Sequence, residues 1–196
     1  MGLYEAILAR RSVRRFERRS VDDDAQAAVR GAVDSVRPLL AGNQFAVQYH
    51  DVAPGENLVK ALGAYGRIVT PPHYLVPFLL CATQPSTARD LTDLGFRAQQ
   101  IAVRLTQAGL GSCYVGCLAR ENAARSYFGL PEGARVGASL VYGFVGARVR
   151  DRLINATIRH AIGAPHKLLP EQLFYAESFE RLSPPPRELL ALIEAG

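Results

Sequence analysis

The sequence predicts one domain that mixes α-helices with short β-strands, and three observations predict it. Its 196 residues suffice for one domain and are too few for two ordinary ones. Hydrophobic residues make up 48% of the chain and charged residues 21%, the balance of a globular protein with a real core. Segments with helical periodicity alternate with short apolar runs bounded by turn residues.

The first helix is expected over Tyr4 to Ala9, with Leu3, Ile7 and Leu8 as its apolar residues. Ser20 or Asp22 caps a second, since Asp22, Asp23 and Asp24 favour a helix N-terminus. Val29, Val33 and Val36 give that helix one buried face, and Pro38 ends it. Phe45 to Val52 alternates apolar and polar residues and reads as a strand. Glu56 to Tyr65 reads as a short helix and Tyr74 to Ala82 as a buried strand. The clearest helix spans about Leu91 to Ala108, with an apolar stripe of Leu94, Ala98, Ile101, Ala102 and Leu105. Gly109 is placed for a left-handed C-cap. A strand over Cys113 to Val115, a helix over Asn122 to Phe128 and a strand over Val136 to Val145 follow. In the last strand Gly137, Gly143 and Gly146 permit close backbone approach. Beyond Gly146 the chain is first basic, then helical over Ile154 to Ile162, and is broken by Pro184, Pro185 and Pro186 before a final helix, Arg187 to Glu194. Residues 147–196 read as a C-terminal arm of the one domain, lying against a partner subunit.

Several classes of function are disfavoured. The most apolar stretch, Tyr74 to Ala82, is interrupted by Pro77 and is far shorter than the ~20 residues that span a bilayer. The first residues lead into arginines rather than an apolar signal, and Ala6 stands where myristoylation requires Ser or Thr. A cytoplasmic, membrane-free protein is expected. Three cysteines make an odd count, against a disulfide framework. Cys81, Cys113 and Cys117 are read as small buried residues, because no further ligands stand at metal-site spacing. The net charge of +5 and pI of about 9.4 come almost wholly from arginine, Lys60 and Lys167 being the lysines. The charge is most concentrated between Arg10 and Arg19, where six arginines accompany one acid, Glu17.

Three constellations could carry chemistry. In the run Arg10-Arg11-Ser12-Val13-Arg14-Arg15-Phe16, residues 10, 12 and 14 share one face of an extended segment. Arginine offers a planar fork to phosphate oxygens, and serine adds a short donor. Phe16, next in that series, is expected to turn inward. By spacing alone a solvated basic surface stands slightly ahead. The second is the loop from Gly66 to Val76, where His73 enters a buried strand. A lone histidine there is more often structural, and no carboxylate sits close in sequence to pair with it. The third runs from Gly95 through Gly109-Leu110-Gly111-Ser112-Cys113-Tyr114-Val115-Gly116, a helix, a tight turn and a strand that bring bare backbone to a surface suited to a planar ligand. A nucleophilic triad, a P-loop and a zinc site are all missing from the sequence.

Taken in order, these segments resemble the nitroreductase family of flavoproteins. Ile7 to Phe16 is similar to that family's opening Arg-x-Ser-x-Arg/Lys-x-Phe. Leu94-Gly95-Phe96 through Gly116 is similar to its central helix and Gly-Leu-Gly turn. Tyr65-Gly66-Arg67-Ile68 with Pro72-His73-Tyr74 resembles a subgroup of short members, and Ala138 to Gly146 resembles the last core strand. The resemblance spans residues 3 to 175. It implies an α+β fold, a central mixed but mainly antiparallel β-sheet flanked by helices, in a domain-swapped type of homodimer with FMN at the interface. It implies that Arg10, Arg11 and Ser12 hold the phosphate and ribityl end, and that Arg14 lies toward flavin N1 and C2. The backbone of Tyr114, Val115 and Gly116 would border N5, and His166 and Lys167 would add a phosphate contact. Most members carry Ser-x-x-Asn-x-Gln-Pro-Trp after the second helix. This chain has only Ala41-Gly42-Asn43-Gln44-Phe45, and no tryptophan.

The expected function is an FMN-dependent oxidoreductase that takes hydride from NADH or NADPH and passes it by ping-pong turnover to a small-molecule acceptor. No side chain is assigned as a catalytic acid or base. A flavin-binding or flavin-storing protein of the same fold is the alternative. A basic nucleic-acid-binding module ranks third, and no nucleic acid is expected as partner.

Overall fold

The structure is a computed structural model, and it describes residues 1–63, 66, 69, 71–80, 86–117, 120–146, 153, 156, 157 and 160. The chain divides into two compact units, Met1–Asn155 and Ala156–Gly196. The first carries every named element. In the second, Ala156, Thr157 and His160 are described, and all are helical.

The elements run α1 (Leu3–Ala9), α2 (Asp23–Asp34), β1 (Gln44–Asp51), α3 (Val59–Leu62), β2 (His73–Leu80), α4 (Ala88–Gln107), β3 (Gly111–Gly116), α5 (Glu121–Phe128) and β4 (Ala138–Gly143). Every expected element up to residue 146 is present, with shifted ends. Asp22 rather than Ser20 caps α2, accepting from the Ala25 N–H. That helix stops at Asp34, ahead of Pro38, and Val29 and Ala32 are its buried residues. α3 is shorter than expected because Glu56 is used in a turn: its N–H donates to the Ala53 carbonyl, and its carboxylate accepts from the Ala53 N–H. α4 begins three residues before Leu91, where Thr87 and Asp90 cap each other's backbone N–H groups. Gly109, at φ +79°, provides the left-handed turn after α4.

The four strands form one sheet in the order β1-β2-β4-β3, and all three ladders are antiparallel. Among the described residues, the expected mixed character reduces to one isolated parallel bridge, Ser12 to Ser112. β2 is buried nearly throughout, as an inner strand should be. Its Pro77 falls between the β4 ladder at residues 73–75 and the bridge from Leu79 to Arg135, where no β4 carbonyl awaits an N–H.

Each face of the sheet carries its own core. On one, α2 and α4 close over Val21, Val29, Leu75, Ile101, Leu105, Leu140 and Tyr142. On the other, α3 and α5 close over Leu58, Leu62, Tyr74, Val76, Val115, Phe128 and Val141, joined there by Val13 and Phe16 of the arginine run. α1 packs on α4. The chain therefore passes round the β3 edge of the sheet between α1 and Phe16, and that passage builds the site.

Candidate functional site

The arginine run is docked rather than solvated. The Val13 N–H donates to the Ser112 carbonyl at 2.8 Å, the Glu17 N–H to Phe144 at 2.9 Å, and the Gly146 N–H to Arg15 at 3.2 Å. Val13 and Phe16 are buried, while Arg10, Ser12, Arg14 and Arg15 are half-buried and Arg11, Arg18 and Arg19 exposed. Phe16 does turn inward, but so does Val13 three residues before it, so the simple alternation expected from spacing is lost where the run bends over the sheet. Glycines make the dock possible. A Cβ on Gly111 would lie 3.0 Å from Val13 Cγ2 and 2.9 Å from Val145 Cγ2, and one on Gly143 would lie 2.8 Å from the Pro72 ring.

The structure brings Arg10, Ser12, Arg14 and Tyr114 together along the outer edge of β3, which the run itself bridges at Ser112. Burial pushes the Cys113 thiol up, while the charge of Arg14, a hydrogen bond from Ser12 and the charge of Arg10 pull the other way. Burial likewise pushes Tyr114 up to about 12, opposed by Arg10. Both guanidinium groups and the Ser12 hydroxyl thus act on Cys113, and Arg10 acts on Tyr114 as well. Arg10 Nη1 is buried and has no hydrogen-bond partner among the described residues, and the same holds for Ser112 Oγ. A buried guanidinium N–H without an acceptor is costly. Such a donor fits an anion.

Beside this charged edge lies a cleft of about 360 Å³, lined by Leu91, Leu94, Gly95, Ala98 and Gln99 of α4, Tyr114 of β3, and Gly137 and Ala138 at the start of β4. Helix and strand of the Gly95–Gly116 segment thus wall one space, with Gly95, Ala98, Gln99 and Tyr114 in its lining, but the turn residues Gly109, Leu110 and Gly111 do not line it. The Tyr114 hydroxyl donates to Gln99 Oε1 at 2.9 Å and fixes the ring as a wall. Val115 is fully buried, whereas Gly116 is exposed with open space beside its Cα. His166 and Lys167 lie outside the described residues, as do Cys81 and most of the arm. Cys113 and Cys117 are buried free thiols, as expected. Among the described residues no cluster of metal-binding side chains occurs, and no helix is long and apolar enough to cross a membrane.

Two arrangements escaped sequence reading. His73 is paired after all: Asp51, 22 residues away, lies opposite it in the β1–β2 register and accepts from Nδ1 at 2.6 Å. The segment Leu39–Asn43 is tied to α4. The Leu39 and Leu40 N–H groups donate to Asp93 Oδ1 at 2.7 and 3.1 Å, and Asn43 Nδ2 donates to Asp90 Oδ1 at 2.8 Å. Acids one turn apart at positions 90 and 93 were visible in the sequence, but their loop partners were not.

The fold has known relatives. A nitroreductase family protein from Clostridium novyi NT superposes with a TM-score of 0.58 at 17% identity, over 93% of this chain and 97% of that one. A nitroreductase with bound FMN from Desulfitobacterium hafniense DCB-2 gives 0.57 at 22%, over 76% and 92%. An FMN-dependent nitroreductase from Clostridium difficile R20291 gives 0.55 at 18%, over 73% and 87%. No curated protein matches the sequence. The family model described as "Putative TM nitroreductase" matches residues 2–144, which contain the arginine run, the α4–β3 turn and all four strands, and the chain belongs to that nitroreductase family.

Proposed function

We propose that the protein is an FMN-dependent NAD(P)H oxidoreductase of nitroreductase type. The observation that carries this reading is the buried, unpartnered Nη1 of Arg10 at the charged edge of β3, next to an apolar cleft of about 360 Å³. A charged phosphate end and a flat, largely apolar ring system match that pair of environments. The FMN of the Desulfitobacterium hafniense relative supports the same reading.

When bound, FMN supplies two-electron hydride chemistry between NADH or NADPH and a small acceptor. The chain's own residues bind and orient. Arg10 and Ser12 hold the phosphate and ribityl end, with Arg11 at the solvent side. Arg14 would offer a cation toward the N1 and C2 side of the flavin. The backbone of Tyr114, Val115 and Gly116 would lie at the ring end of the cofactor, and the walls from α4 would shield it from water. By the family resemblance His166 and Lys167 would add a further phosphate contact. Donor and acceptor use the same open face in turn, which gives ping-pong kinetics, and nitroaromatics or quinones are suitable acceptors. The site is shared across a homodimer.

The visible spectrum tests the cofactor. The purified protein should be yellow or become so with FMN, and a preparation that stays colourless after incubation with FMN overturns the reading. Anaerobic mixing with NADH and with NADPH tests turnover. Bound flavin that neither bleaches favours a flavin-binding protein without turnover.

A further inference from the structure

His73 is 2% exposed, and both its ring nitrogens are committed. It stands directly opposite Asp51 of β1 on one side and Tyr142 of β4 on the other. Its ring stacks on Tyr142, with centroids 5.0 Å apart and planes 21° from parallel. The Val21 N–H donates to Nε2 at 3.1 Å. An accepting Nε2 carries no proton, so the proton sits on Nδ1 and is donated to Asp51. Asp51, whose side chain is 79% exposed, thereby fixes the tautomer of a buried ring.

Val21 matters because of where it lies. The arginine run is stitched down at Val13, Arg15 and Glu17, and it then leaves through exposed residues 18–20. Val21 is the next anchored point, immediately before the Asp22 cap of α2. Its N–H bond to His73 closes the strap that ends the run. Arg19 stacks over Phe144 at 4.1 Å and pairs with Glu17 at 2.6 Å, so the strap also bears on the residue whose carbonyl holds Glu17. The other tautomer of His73 would point an N–H at the Val21 N–H and release the strap.

We propose that Asp51 and His73 are positioning residues for the arginine run: the surface carboxylate selects the tautomer of the buried imidazole, which clamps the run's C-terminal end and so pre-orders Arg10, Ser12 and Arg14 for a phosphate. The consequence for cofactor affinity rests on the FMN reading above, but the clamp itself does not. Pre-ordering lowers the entropy lost when the ligand binds.

The test uses Asp51→Ala and Asp51→Asn in the full chain, chosen because the position is exposed and both variants should fold. Two readouts apply: amide hydrogen exchange of the FMN-free protein, and FMN affinity by flavin fluorescence. Asp51→Ala should speed exchange at Val21 and Glu17 about fivefold, the effect of losing one neutral hydrogen bond. Leu75 and Leu140 in the sheet should not respond. FMN affinity should fall by a similar factor. Asp51→Asn keeps an oxygen that accepts from Nδ1 and should stay within about twofold of the unmodified protein. Unchanged exchange at Val21 or Glu17 in Asp51→Ala overturns the proposal, as does unchanged FMN affinity in a protein that binds FMN. An Asn variant as impaired as the Ala variant also overturns it. If the unmodified protein binds no FMN while Val21 and Glu17 respond as stated, the clamp stands and the flavin reading alone fails.

Discussion

Gly111 of β3 stands directly opposite Gly143 of β4, and the arginine run crosses the sheet over this pair. The two missing side chains are what bring Val13 and Phe16 into van der Waals contact with strands. Without that contact the run would sit above the sheet and its cations would be solvated.

A methyl group at either position should therefore act on the run. In Gly143→Ala the new carbon meets the Pro72 ring at 2.8 Å and Phe16 Cδ1 at 3.3 Å, and neither is the end of a flexible chain. Overpacking of this kind costs about 1–3 kcal/mol. The denaturation midpoint should fall accordingly, and FMN affinity should fall with it as Phe16 is pushed outward. Gly116→Ala, where nothing lies within 4 Å of the new carbon, serves as the control and should leave stability unchanged.

The arginines should not be equivalent. Arg10 offers a buried donor without a partner, while Arg11 is exposed. Arg10→Ala should weaken FMN binding by roughly 1.5–3 kcal/mol, the worth of a charged hydrogen bond. Arg11→Ala should cost well under 1 kcal/mol, as is usual for exposed charges. Isothermal titration with FMN measures both. Equal losses would place the phosphate on the solvent side of the run.

These contrasts mark how far the sequence could be read. Elements driven by local periodicity were legible: the stripe of α4, the alternation of β1, the glycine stop at residue 109. Residues 10, 12 and 14 were legible as one face. What bends that face is Val13 and Phe16 reaching across Gly111 and Gly143, and contacts of 98 and 127 residues in sequence separation leave no periodic trace. The pairing of His73 with Asp51 was illegible for the same reason, since it follows from strand register alone. The early start of α4 was readable in principle. Thr87 and Asp90 stand three apart, as in a capping box, but with Asp where Glu or Gln is usual.

Acid should act on the segment between α2 and β1. Burial opposes ionisation of Asp93, but Arg97 and the Leu39 and Leu40 N–H groups outweigh it and hold the carboxyl below the usual range. Its pair with Arg97, at 2.8 Å, is almost wholly buried. A depressed carboxyl stabilises the fold above its unfolded value, about 3.9, and loses that contribution as pH falls through the lower folded value. Stability should thus decline below about pH 4 in the unmodified protein. Asp93→Asn should lack this part of the decline and be less stable at neutral pH by about 3 kcal/mol, because Arg97 is left buried without a counter-charge. Urea unfolding at a series of pH values gives both quantities. An unaltered acid limb in the variant would assign the acid sensitivity elsewhere.

The exposed side of α1 bears on assembly. Leu3, Tyr4, Ile7 and Leu8 are each more than half exposed on a single seven-residue helix. A patch of this kind is a usual mark of a protein interface, and the proposed homodimer would cover it. Light scattering should give twice the 21.3 kDa of one chain. Ile7→Glu places a charge in the patch without touching the residues docked on β3, so it should shift the mass toward one chain while the fold stays intact by circular dichroism. Because the FMN site is proposed to be shared between subunits, FMN affinity should fall in the same variant, and it should recover at protein concentrations that restore the dimer. A variant that is monomeric yet binds FMN undiminished would separate the cofactor site from the interface.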